Sequence, residues 1–169
     1  STVNFNIISA NIYDGKFTIS GEGVNFGGSD RILFPNTTNL SDFLLSTDVE
    51  ILNGPSDAEI GIVFREKDYD FCIFYIKNNS YYVFAYTLYS DNDGFLIYNQ
   101  YTPAIKANEK NNLSVLALGS QFYFFINDQY LESVEFDGIS TGSVGLYISL
   151  AKEKDFATFE FDNFELSAP

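Results

Sequence analysis

The stretch Glu59-Ile60-Gly61-Ile62-Val63-Phe64-Arg65 decides the fold together with the two runs after it: Phe71-Cys72-Ile73-Phe74-Tyr75-Ile76-Lys77 and, past Asn78-Asn79-Ser80, Tyr81-Tyr82-Val83-Phe84-Ala85-Tyr86. Its residues are β-branched and aromatic, and they come in short solid apolar runs or at every second position rather than at the spacing of a helix face. The Asn-Asn-Ser between the second and third runs tolerates the positive φ of a tight turn. Three antiparallel neighbours follow from these residues alone.

Outward from there the same pattern predicts strands at 3–8, 16–19, 31–34, 43–52, 59–65, 71–77, 81–89, 95–101, 113–118, 122–127, 130–136, 144–150 and 157–166. Further hairpin turns read at Asp91-Asn92-Asp93-Gly94, Gly119-Ser120 and Asn127-Asp128. In the last strand Ala157, Phe159 and Phe161 are apolar on odd positions, then Phe164 and Leu166 take over on even ones, so a bulge near Asp162-Asn163 is expected. The one helical candidate is a turn over 38–43, capped by Asn39 or Ser41. About a dozen strands in 169 residues predict an all-β, two-sheet antiparallel sandwich forming a single domain over 1–169.

Composition narrows the function classes. Lys and Arg number 9 against 23 Asp and Glu, a net charge of −14, the wrong sign for nucleic acid or an anionic membrane surface. The chain has no His, Met or Trp and a single Cys, which removes imidazole-based catalysis, zinc and haem ligation and any internal disulfide. No apolar run approaches the roughly 20 residues of a membrane span, so no membrane insertion is expected. Cys72, inside an apolar strand, reads as a buried neutral thiol.

The order of elements is more specific than any one of them. Gly61-Ile62-Val63-Phe64-Arg65 with Asp68, Phe74 and Ile76, Tyr82, Asp93-Gly94 and Pro103-Ala104-Ile105 come first. They are followed by Asn112 to Gly119, Phe125-Ile126-Asn127, Gly142-Ser143-Val144-Gly145-Leu146 and Phe161-Asp162-Asn163-Phe164. This succession resembles the concanavalin A-like, laminin-G-like jelly-roll domains of bacterial surface proteins, including fructan-binding modules and the 3-keto-disaccharide hydrolase domain group. It covers residues 12–168, with Tyr13-Asp14-Gly15-Lys16-Phe17 and Asp42-Phe43 fitting the first half. The resemblance implies a jelly roll, a glycan partner and an extracellular or cell-surface location. It also implies a structural calcium held by Asp162 in the last strand against the N-terminal part, with Asp14 as companion. Where such domains often place a Trp near the Asp93-Gly94 turn, Phe95 stands here.

Period two supplies a candidate site. With Ile62, Phe64, Phe74, Ile76, Phe84 and Leu88 inward, the opposite face carries Val63, Arg65, Ile73, Tyr75, Lys77, Tyr81 and Tyr89. Aromatic faces stack on the C–H patches of sugars and planar charged groups grip vicinal hydroxyls. Tyr75 and Tyr81 offer the first and Arg65 with Asp68 the second. The alternative for Arg65 and Asp68 is a structural ion pair.

No catalytic residue is assigned. Glu160, Asp162 and Glu165 look at first like the acidic strand of a glycosidase, but the phase break is expected to turn Glu165 away from the other two. Glu135 and Asp137 read as a solvated edge. Asp91-Asn92-Asp93-Gly94 reads as a hairpin turn rather than a calcium loop, since Gln100 stands where a bidentate Glu is needed. Asn36, Asn39, Asn78 and Asn112 head Asn-X-Ser/Thr sequons.

Three functions remain, in order. The first is a non-catalytic carbohydrate-binding or surface-recognition module. The second is a self-assembling surface-layer or filament subunit, a homopolymer joined by calcium and by residues 1–10 adding a strand to a neighbour's sheet. The third is a carboxylate-dependent glycoside-processing enzyme.

Overall fold

A computed structural model describes residues 5–24, 28–34, 37–90 and 92–169. The strands are β1 (Phe5–Tyr13), β2 (Lys16–Gly23), β3 (Gly28–Leu33), β4 (Phe43–Asn53), β5 (Glu59–Lys67), β6 (Asp70–Lys77) and β7 (Tyr81–Thr87). They continue as β8 (Gly94–Tyr101), β9 (Asn111–Leu118), β10 (Gln121–Ile126), β11 (Gln129–Glu135), β12 (Ser143–Leu150) and β13 (Phe156–Ser167). The expected helical turn at 38–43 is a non-helical turn leading to an isolated bridge between Leu40 and Gly142.

Two antiparallel sheets form, one of seven strands in the order β1-β2-β13-β4-β9-β10-β11 and one of six in the order β3-β12-β5-β6-β7-β8. This is a concanavalin A-like jelly-roll sandwich. Local hairpins build β5 to β8 and β9 to β11, whereas β13 returns to lie between β2 and β4, and β12 lies between β3 and β5. Asn127 and Asp128, at φ 51° and 62°, make the expected hairpin turn between β10 and β11. Of the expected turn at 91–94, Asp91 lies outside the described residues, as does the sequon residue Asn36.

Between the sheets Phe replaces the absent Trp as the bulky filler. Phe64 and Phe84 of the six-stranded sheet meet Phe122 at ring-centroid distances of 5.5 Å each, and Phe84 and Phe74 meet Phe124 at 4.7 Å. Full burial of each ring contributes roughly 1.5–3 kcal/mol by area. Cys72 belongs to this core, and burial pushes its thiol up to about 12, so it stays neutral as expected.

A second, smaller cluster lies on the other face of the six-stranded sheet: Val63, Ile73, Tyr75, Val83, Ala85 and Tyr147, with Phe71 packed against it. The alternation of β5, β6 and β7 produces it, because the odd-numbered Val63, Phe71, Ile73, Tyr75, Val83 and Ala85 are apolar or aromatic too.

The N-terminal expectation is altered by the pairing. Residues 1–4 lie outside the described residues, and β1 pairs antiparallel with β2 of the same chain through the turn at Asp14-Gly15. Residues 5–10 thus complete the chain's own sheet instead of standing free for a neighbour.

Candidate functional site

The outer face of the six-stranded sheet gathers the polar and aromatic groups. Register sets one row across it: Arg31 of β3 opposes Tyr147 of β12, Tyr147 opposes Gly61 of β5, Gly61 opposes Tyr75 of β6, and Tyr75 opposes Val83 of β7. Directly opposed residues share a face, so all five positions look outward. Gly61 has no side chain, and the Tyr75 and Tyr147 rings meet across it at 5.2 Å. A Cβ at Gly61 would lie 2.1 Å from the Phe74 carbonyl oxygen and 2.7 Å from the Tyr75 Cβ.

Charged groups flank the row in matched pairs. Arg31 donates from Nε to Glu66 Oε2 at 2.9 Å and from Nη2 to Oε1 at 3.4 Å, and its guanidinium lies 3.9 Å from the Phe71 ring centroid. Lys77 donates to Asn99 Oδ1 at 2.9 Å, with its Nζ 3.9 Å from Glu59. The Tyr147 hydroxyl donates to Glu59 Oε1 at 2.9 Å. Burial raises the Glu59 pKa above its ordinary 4.5 against the opposing pull of Tyr147 and Lys77. Burial first, then the Glu59 charge, drives the Tyr147 and Tyr75 hydroxyls upward, so both remain protonated donors.

Of the expected site residues, Tyr75, buried at 5% exposure in the outer cluster, and Tyr81, half-buried and in ring contact with Tyr101 at 6.0 Å, lie on this face. Arg65 does not. It sits at φ 52° where the β5–β6 register shifts between Phe64 and Lys67, and the extra residue turns its side chain into the sandwich. Only 1% exposed, it lies over Phe122 at 4.6 Å and donates to the carbonyls of Ile139 (2.9 Å), Ser41 (2.7 Å) and Gly119. Its partners are main-chain carbonyls and not Asp68, which stands exposed in the β5–β6 turn at φ 52°. Arg65 is therefore a tie between three loops, and Glu66 takes up its expected place on the outer face. Glu59 is reachable from the alternation of β5. Arg31 and Tyr147 are not, because the order β3-β12-β5 is a long-range pairing.

Asp162 and Asp14, expected to hold calcium, lie in β13 and in the β1–β2 turn. Among the described residues no group of three or more His, Cys, Asp or Glu converges on a point that could hold a metal. Asp162 Oδ1 accepts the Asn163 amide at 2.8 Å, and its Oδ2 lies 3.8 Å from Lys110 Nζ. Asp14 is exposed in the β1–β2 turn at φ 50°.

The bulge in β13 is where expected, with Asn163 at φ 49° and a register shift between Asp162 and Glu165. Its consequence is the reverse of the expectation. Asp162 opposes Asp48 and Glu165 opposes Ser46, two positions apart on β4, so the extra residue returns Glu165 to the outer face shared by Glu160 and Asp162. Glu160 lies 3.6 Å from Lys16.

Searches for related proteins give fold neighbours. No known family profile and no curated protein matches the chain. Among solved structures it is similar to a carbohydrate-binding module, CBM66 from Bacillus subtilis, at 18% identity and a TM-score of 0.73 over 98% of this chain and 96% of that one. It is also similar to the laminarinase catalytic domain from Thermotoga maritima, at 5% identity and a TM-score of 0.66 over 96% and 81%. The Caenorhabditis elegans galectin LEC-6 matches at 12% identity and a TM-score of 0.52 over 90% and 99%. At these identities the likeness is one of fold, the concanavalin A-like jelly roll.

Proposed function

We propose that this chain is a non-catalytic, extracellular carbohydrate-binding module that holds a neutral, hydroxyl-rich glycan on the outer face of its six-stranded sheet. The observation that carries the reading is the single row Arg31–Tyr147–Gly61–Tyr75, flanked by the pairs Arg31/Glu66 and Lys77/Glu59. Vicinal hydroxyls donate to carboxylates and accept from guanidinium and ammonium groups, and these three group types stand part-exposed here while the Tyr75 and Tyr147 rings are buried. Fold neighbours that include a carbohydrate-binding module and a galectin support the same direction.

Neutrality of the ligand follows from charge. Each cation on the face has its own carboxylate, and the whole chain carries −14. An acidic sugar would face Glu59 and Glu66 with no unpaired cation between them. Calorimetric titration with fructo-, laminari- and galacto-oligosaccharides, and with alginate fragments as the acidic control, tests both parts. Neutral sugars bind and Arg31→Ala weakens them about tenfold, roughly the 1.5 kcal/mol of one charge-assisted hydrogen bond. Preferential binding of alginate fragments would reverse the charge argument.

A second reading rests on the bulge that unites Glu160, Asp162 and Glu165 on the opposite sheet. It predicts hydrolysis of laminarin that is lost in both Glu160→Gln and Glu165→Gln. The contacts of Lys16 with Glu160 and of Lys110 with Asp162 favour a structural role, and we expect no turnover.

A further inference from the structure

Strand β8 is the six-stranded sheet's edge, and its composition is unusual for an edge. Gly94–Tyr101 reads GFLIYNQY, without a charged residue, although charges and prolines are the common protection of an exposed strand. It carries three rings that stay largely in solvent: Phe95 at 58% exposure, Tyr98 at 66% and Tyr101 at 58%.

Register places them on the same face as the charged row. Phe95 opposes Ala85, a member of the outer cluster, and Tyr101 opposes Tyr81. Tyr98 contacts Phe95 at 4.8 Å. The register shifts of β7 against β8, with Asn99 at φ 42°, let Tyr98 and Asn99 both serve this side, Asn99 accepting from Lys77. At the β6–β7 turn end of this face lies a depression of about 370 Å³ lined by Lys77, Asn79, Tyr81 and Asn99.

The face thus changes character along its length, from ion pairs at β3 and β5 to bare rings at β8. Five strand intervals separate β3 from β8, roughly 24 Å at about 4.8 Å each. One sugar ring cannot span that distance.

Resting on the carbohydrate-binding reading of this face, we propose that Phe95, Tyr98 and Tyr101 form a stacking extension of the site, so that the module takes a chain of several linked sugars lying across the strands and not a lone terminal unit. The charged row fixes one sugar by its hydroxyls, the depression accepts the next through Lys77 and Asn99, and the rings stack on the C–H faces of those beyond. Such stacking is tolerant of which hydroxyls the distal sugars present, so selectivity resides at the charged end and affinity accumulates toward β8.

The test titrates fructo-oligosaccharides and laminari-oligosaccharides, from disaccharide to hexasaccharide, into wild type and into Phe95→Ala and Tyr101→Ala, with a parallel melt and light scattering. Wild type binds the hexasaccharide at least about tenfold more tightly than the disaccharide, and the variants bring that ratio toward one with unchanged melting. Length-independent binding that Arg31→Ala still weakens would overturn the extension and leave the binding face standing. No binding of any length would overturn both. A change of mass in the variants, with the length ratio intact, would assign the rings to contact between copies of the chain and end the proposal.

Discussion

At the residue scale the bulge after Phe64 turns Arg65 inward, while Glu59 keeps the outward place that alternation assigns it. Arg65 is a buried cation whose three carbonyl acceptors come from the segment before β4, the β9–β10 turn and the β11–β12 loop. Truncating it strands those acceptors away from water, at about 3–5 kcal/mol by the usual cost of breaking a buried charged contact. We expect Arg65→Ala to lower the melting temperature by some ten degrees, at roughly 2–4 °C per kcal/mol for a chain of this size. Glycan affinity, measured well below that transition, stays at the wild-type value; a large affinity loss in a protein that melts normally would return Arg65 to the binding face. Glu59 is the opposite case, a carboxyl on the outer face whose folded pKa is raised by burial above 4.5. The folded state then binds its proton more tightly than the unfolded chain. Stability from this group is highest below the unfolded pKa and falls as pH rises through the window up to the folded one. Glu59→Gln removes the charge and keeps the shape, so its melting temperature exceeds wild type at pH 7, and the difference shrinks as both are acidified toward pH 4. A variant less stable than wild type at pH 7 would mean that the Lys77 pair outweighs burial.

At the element scale the strands are legible in the sequence and their bulges only half so. Thirteen strands follow from period two, and each predicted segment overlaps an observed one, because a half-buried strand must alternate or run solidly apolar to be buried at all. The bulge in β13 is visible because Phe161 and Phe164 break phase in the sequence. Its effect on Glu165 differs from the expected one because the added residue shifts the inward and outward sets together. The bulge at Arg65 leaves no trace in sequence, since Gly61 to Phe64 is buried on both faces and shows no phase to break. In β13 the bulge is self-sufficient: Asp162 caps the Asn163 amide, the Asp162 carbonyl accepts from the buried Thr47 hydroxyl at 3.0 Å, and Asn163 Nδ2 donates to Asp48 at 2.8 Å. With these bonds made by the chain itself, millimolar calcium and EDTA should give the same melting curve. A rise in calcium that Asp162→Asn removes would restore the expected ion.

At the scale of the whole molecule the question is whether the chain works alone. The jelly roll leaves four edge strands, β1 and β11 on one sheet and β3 and β8 on the other. Edge β11 carries Glu132 and Glu135, and Tyr82 donates to Glu132 at 2.6 Å, which orders that carboxylate beside the strand. Edge β1 is paired on its inner side with β2, so a strand-exchange polymer would first have to break an existing hairpin, and the rings of β8 are the proposed sugar-stacking surface. A net charge of −14 adds repulsion between copies at low salt. Light scattering on the purified chain should therefore return the monomer mass of about 19.0 kDa, with or without calcium, and the chain should stay monomeric when residues 1–10 are deleted. Deleting those residues removes most of β1, exposes the β2 edge and lowers stability without altering the monomeric state. Assembly into larger species that the deletion abolishes would instead make β1 a donated strand, and the same chain a building block whose binding face decorates a polymer.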